Sequence, residues 1–179
     1  MLSGILRYKA LILISLLPNF SLLGQCYPDR HSTTWFDGWV SCEAFPNPNA
    51  GRGLSHWIMY DFGKVYSLHG THIWSTNDPA NLDRGLKNVV IDYSLDGNNW
   101  VESGEYVFEK GEGISTYEGF EGPDLKGVKA RYLLVTAVDN YGGACFGLSE
   151  MRIDAEDSEV TDVEDLTTSR ECFQVQTYP

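Results

Sequence analysis

The pattern that most limits what this chain can fold into is a series of short runs of β-branched and aromatic residues, each closed by turn formers. The runs cover 56–62, 66–74, 86–94, 105–108, 115–120, 131–138 and 147–154. Val89, Ile91 and Tyr93 alternate with Asn88, Asp92 and Ser94, the period of two that sends successive side chains to opposite faces of a strand. With Val90 the exception, that alternation predicts a strand buried on one face. Phe62-Gly63-Lys64, Leu95-Asp96-Gly97-Asn98 and Gly122-Pro123-Asp124 are turn signals between runs. Aromatic residues at 13% and 18 glycines suit short strands with tight turns. No segment sustains apolar residues every 3.6 positions, so the expected class is all-β, an antiparallel sandwich or barrel. Residues 25–53, rich in Pro, Asn, Gly and aromatics, read as ordered loops with one short strand around 39–41.

The two ends differ from this body. Arg7 and Lys9 precede a short apolar run at 10–17, Pro18 and Asn19 break it, and Gly24 offers a cleavage position before Gln25. That arrangement predicts a secretory signal peptide over 1–24, since eight apolar residues are too few to span a bilayer. No other segment is apolar for long enough to cross a membrane, and the expected location is secreted or cell-surface. Removing the leader takes the formal charge from −12 to −14. Such a chain repels phosphate backbones, which excludes nucleic acid as a partner. Residues 154–171 hold eight acids against Arg170 alone, so 155–179 reads as an acidic linker following a domain at 25–154. The final Tyr178-Pro179 resembles the onset of a C-terminal sorting region of gliding bacteria, and the chain is expected to be a piece of a longer protein.

An exported chain can form disulfides, and Cys26, Cys42, Cys145 and Cys172 allow three pairings. Cys42–Cys145 ties the first part of the domain to the last and closes a long loop; it is the expected pair, with Cys26–Cys42 the alternative. Without a CxxC pair, a thiolate zinc site or redox motif has no support. His69 and His72, three apart on a strand, face opposite ways. There is no Gly-x-Ser-x-Gly elbow, phosphate loop or dinucleotide fingerprint, so no catalytic constellation is expected.

Four segments in order carry a resemblance. They are HWIMYDFG at 56–63, LKNVVIDYSLDGNNW at 86–100, ARYLLV at 130–135 and GLSEMRI at 147–153. Together they resemble the coagulation factor five/eight type C, or discoidin-like, domain family, whose fold is shared by family thirty-two carbohydrate-binding modules. The resemblance covers about 35–154 and implies an eight-stranded jelly-roll sandwich that binds through loops at one end, without catalytic residues. The loops that correspond are 74–84 and 139–146, supplying Asn77, Asn81, Asp83, Arg84, Asn140 and Tyr141. His31, Trp35 and Trp39 come from the stretch before the first sure strand. Tyr141, set between Asn140 and Gly142-Gly143, is the candidate platform for a sugar ring, while Trp74 reads as core packing. Galactose-binding members place an Arg soon after the first loop's aromatic, where this chain has Ser75-Thr76-Asn77, so the sugar is left open. The resemblance also implies a structural Ca²⁺ held by Asp37 and Glu150. The expected function is a secreted, non-catalytic module that binds glycan or polysaccharide. The alternatives are a cell-surface protein as partner in adhesion, or an accessory role beside an enzyme domain beyond residue 179.

Overall fold

The computed structural model describes residues 30–158. Eight strands follow one another: β1 (Trp39–Ser41), β2 (Phe45–Pro46), β3 (Leu54–Ser75), β4 (Asn88–Ser94), β5 (Val101–Val107), β6 (Phe120–Glu121), β7 (Val128–Ala137) and β8 (Phe146–Asp157). Every ladder between them is antiparallel. The hydrogen-bonded path runs β1-β8-β3-β7-β4-β5, with β2 and β6 attached to β3. The expected all-β sandwich is what forms.

β3 explains how one path makes two layers. Its first part, through Asp61, pairs with β7; Tyr66, Ser67 and Leu68 pair with β7 on one side and β8 on the other; and its last part, from Thr71, pairs with β8 and, at His72 and Ile73, with β6. Between Asp61 and Tyr66 the register with β7 slips, a bulge after which β8 joins on the opposite side of β3. The sequence predicts two strands here, parted by a turn at Phe62-Gly63-Lys64. Gly63 does take a left-handed φ of 78°, and its N–H donates to Asp61 Oδ1 at 2.8 Å. The residue is a bulge within one 22-residue strand rather than a reversal. A glycine at positive φ serves either purpose, and the partners on both sides of β3 decide which.

The core between the layers gathers Ile58, Leu68, Ile73, Ile91, Phe108 and Leu133, none more than 2% exposed. β4 departs from the expectation of one buried face. It lies between β5 and β7, and Val89, Val90, Ile91 and Asp92 are all buried. Asp92, at 0% exposure, accepts from Arg52 through Nε at 3.0 Å and Nη2 at 2.8 Å. After β4 the expected turn forms around Asp96, whose carboxylate accepts from the N–H groups of Asn98 and Asn99 at 2.9 and 2.8 Å. Those bonds hold its pKa far below the usual carboxylate range. Trp100 is half-buried and packs edge-on to Tyr132 at 6.4 Å.

Cys42 and Cys145 form a disulfide, the pairing expected from loop closure. β8 continues three residues past 154, into the stretch read as acidic linker, because Ala155, Glu156 and Asp157 still find partners at Leu68, Ser67 and Tyr66. The leader at 1–24, Cys26, Cys172 and the tail after 158 lie outside the described residues.

Candidate functional site

Two loops, 76–87 after β3 and 138–145 before β8, meet at one end of the sandwich. Backbone bonds stitch them together. Tyr141 N–H donates to the Gly85 carbonyl at 3.3 Å, Gly143 N–H to Asp83 at 3.0 Å, and Lys87 N–H to Asp139 at 3.1 Å. Gly143 must be glycine for this approach, since a Cβ there would lie 2.8 Å from the Arg84 nitrogen. The loops therefore act as one surface with little freedom of its own, the preorganisation that a binding site needs.

Within that surface the asparagines face inward. Asn77 is 0% exposed, and its amide donates toward the carbonyls of His31, Ser32 and Ile114 while its oxygen accepts from Gly113 N–H at 2.7 Å. Asn140 donates to the carbonyls of Gly143 and Cys145 at 2.9 and 2.8 Å and accepts from Gly142 N–H at 2.9 Å. Both side chains are consumed in holding loops, which corrects the reading of them as ligand-facing. Asn81 bonds to Asp78 and so shapes its own turn. A short amide carries both donors and an acceptor, so it pins irregular backbone as readily as it greets a sugar.

The remaining candidates stand in two patches. The Arg84 side chain makes no hydrogen bond or ion pair with any described residue, and its Cβ lies 3.7 Å from the Cβ position of Gly147, on the side of β1 and β8. Trp39, half-buried in β1, packs against the core there. Asp83 is exposed beside them. Tyr141 lies on the other side of Gly85. Its hydroxyl donates to the Phe108 carbonyl at 2.6 Å, and its half-buried ring has Lys110 Nζ at 5.7 Å and Lys87 Nζ at 6.0 Å from its centre. Burial, then the nearby Glu109 and Asp139, raise its pKa above that of an ordinary tyrosine. The two lysines are neighbours of this ring that the sequence did not single out. Lysines being few in so acidic a chain was the only signal available.

Trp74 is buried, as its reading as a packed residue expects, but apart from the main cluster. It is 1% exposed, yet alternation puts it on the face of β3 opposite Ile73, outside the core cluster and beneath Arg152. His31 is buried, whereas Trp35 and Phe36, tilted against each other with ring centres 4.4 Å apart, are 55% and 77% exposed.

The two carboxylates expected to hold a metal come from the turn before β1 and from β8. The β1–β8 ladder ends with Trp39 paired to Leu148, two residues after Asp37 and two before Glu150. Asp37 accepts from Ser32 Oγ at 2.8 Å and Thr34 Oγ1 at 3.0 Å. Partial desolvation raises its pKa, but those hydroxyls and the His31 ring outweigh it, and the carboxyl titrates below its ordinary value. Glu150 accepts from Arg152 Nε at 3.1 Å, and His31 Nε2 lies 4.0 Å from its other oxygen. The Asp37 side offers hard oxygens of the kind calcium takes, whereas Glu150 is already engaged by a guanidinium. Among the described residues no three His, Cys, Asp or Glu side chains gather to hold a metal ion.

Comparison with known proteins follows this geometry. Residues 30–151 match the family model of the F5/8 type C domain. No curated protein matches the chain. Among solved structures, it is similar to the CBM32-3 module of a family 31 glycoside hydrolase from Clostridium perfringens, at 18% identity and a TM-score of 0.46, covering 66% of this chain and 75% of that one. It is also similar to the family 32 carbohydrate-binding module of EndoD from Streptococcus pneumoniae, at 12% identity, TM-score 0.47, and 68% and 78% coverage. A third is a CBM32 module from Clostridium perfringens in complex with GalNAc-β-1,3-galactose, at 13% identity, TM-score 0.41, and 65% and 73% coverage.

Proposed function

This chain belongs to the F5/8 type C domain family, and from that premise we propose that it is a secreted, non-catalytic module that binds glycan through its stitched loops. The observation that supports this most is the rigid pair of loops presenting Tyr141 between two lysines, with Arg84 uncommitted on the neighbouring patch. A sugar ring lays its C–H face on the accessible side of Tyr141, while Arg84, Asp83 and the lysines meet hydroxyl or carboxylate oxygens. Asn77 and Asn140 contribute only by holding the loops still.

Affinity electrophoresis and glycan arrays test the proposal. Tyr141→Ala is expected to weaken binding at least about tenfold, the scale of losing a buried aromatic contact, and Arg84→Ala to weaken it about fivefold. No binding to any polysaccharide at millimolar ligand would overturn the reading. Binding retained on enzymatically deglycosylated surfaces would instead point to a protein partner.

Calcium at Asp37 and Glu150 belongs to the same proposal, with hydroxyl and carbonyl oxygens completing the shell. Adding calcium to chelator-treated protein is expected to raise Tm, since a ligand at one hundred times its Kd stabilises by about 2.7 kcal/mol. Asp37→Asn is expected to abolish the rise. A Tm indifferent to calcium would remove the metal from the proposal and leave the glycan reading intact.

A further inference from the structure

His72 stands on the outward face of β3, because its neighbour Ile73 turns into the core. The ladders place it between Glu121 of β6 and Arg152 of β8. β6 is only two residues long, so backbone pairing alone fastens this wall of the sheet lightly. The stretch from Glu118 to Glu121 reaches the imidazole because Gly119, at φ 73°, carries no side chain: a Cβ there would lie 2.9 Å from His72 Nε2. Both ring nitrogens are then engaged. Nε2 meets the Glu118 carbonyl oxygen at 2.7 Å, and Nδ1 meets Glu121 Oε1 at 3.1 Å.

The two partners are of one kind. A peptide carbonyl and an ionised carboxylate accept hydrogen bonds and have nothing to donate. A neutral imidazole has one N–H, so it satisfies one of them and turns a lone pair toward the other. The imidazolium has two N–H groups and satisfies both. The same wall also holds residues 30–31. Arg30 approaches Glu118 at 3.6 Å, and the His31 N–H donates to the Tyr117 carbonyl at 3.1 Å. Residues 117–121 thus lie between β3 and the 30–31 stretch, with His72 fastening them from the sheet side.

We propose that His72 is a proton-operated clasp, which holds the 117–121 wall, and the 30–31 stretch upon it, more firmly when its ring is charged. Glu118 and Glu121 face the ring from the wall, Arg152 and Asp154 from β8, and Arg30 stands at the rim. Arg152 opposes a second cation, but it donates to Glu150 at 3.1 Å and its guanidinium lies over the Trp74 ring. His31 Nε2, in turn, lies 4.0 Å from Glu150. The charged ring makes both contacts and the neutral ring one. The clasp therefore closes as pH falls through the ring's titration and slackens as pH rises through it. At still lower pH Glu121 itself takes up a proton, and the Nδ1 contact weakens again. His72, Glu118 and Glu121 lie outside the loop surface, so the clasp stands whether or not the loops bind glycan.

Amide exchange in the full chain tests this, read as protection factors so that the intrinsic pH dependence of exchange drops out, beside the ¹⁵N resonances of the His72 ring. The reporters are the Gly122 and His31 amides, which donate to the Thr71 and Tyr117 carbonyls. Their protection is expected to rise about threefold as pH falls and the second ring nitrogen gains its proton, the scale of one partly exposed ion pair. His72→Gln is expected to flatten the profile. Glu121→Gln, at an exposed position, should flatten it too, because a carboxamide accepts from the charged ring and donates to the neutral one. His69→Gln is expected to leave the step in place. A flat profile in the unaltered chain, a step of opposite sign, a step that survives either change at 72 or 121, or one that vanishes with His69→Gln would each overturn the proposal.

Discussion

Replacing Cys42 and Cys145 together by serine is expected to lower the free energy of unfolding by about 4–5 kcal/mol. The bridge joins residues 103 apart in sequence, so in the reduced chain the unfolded state regains nearly the whole domain's freedom. It also ties the end of β1, an edge strand of only three residues, to the start of β8. Chemical denaturation reads the effect. The midpoint falls while the denaturant slope rises, because a chain without the cross-link exposes more surface when it opens. Reductant acting on the unaltered protein should reproduce the loss. A change below about 1 kcal/mol would mean that the folded state was strained by the bridge or that the unfolded chain stays compact without it.

The second large effect concerns a charge in the middle of the sheet. Arg52→Met is expected to cost about 3–5 kcal/mol, because it strands the carboxylate of Asp92 at full burial. Arg52 ends a short 3-10 turn ahead of β3 and reaches across to Asp92 with two bonds, while Nη2 also donates to Glu102 Oε2 at 2.7 Å. That clamp fastens the loop between β2 and β3 onto β4 and β5. Removing both charges, as Arg52→Met with Asp92→Leu, is expected to be far milder than the single change, since no ion is then left in the interior. If the double variant is as unstable as the two losses added, the pair acts through packing rather than charge.

Much of the architecture is legible in the residues. Turn chemistry at Asp96-Gly97 and alternation along the later strands act locally, so the sequence carries them directly. What local pattern does not carry is the company a segment keeps. Gly63 has the conformation expected of it, but ladders on both sides of β3 convert a reversal into a bulge. Asp92 alternates as a solvent-side residue should, and Arg52, forty positions away, lets it be buried instead. The same limit governs the candidate site. Asn77 and Asn140 have the composition of ligand-facing loop residues, and only the surrounding carbonyls reveal them as anchors. Trp74 is buried as expected, but on the outward face, because Arg152 and His72 cover it there.

β3 runs unbroken through the middle of the hydrogen-bonded path, beside β7 and β8 alike, and this shapes how the domain can come apart. Neither layer owns a complete set of strands, so there is no seam along which one could detach and leave the other standing. Loosening begins at the fringes instead, at short β1 or the outermost β5, and anything that reaches β3 ends the whole assembly at once.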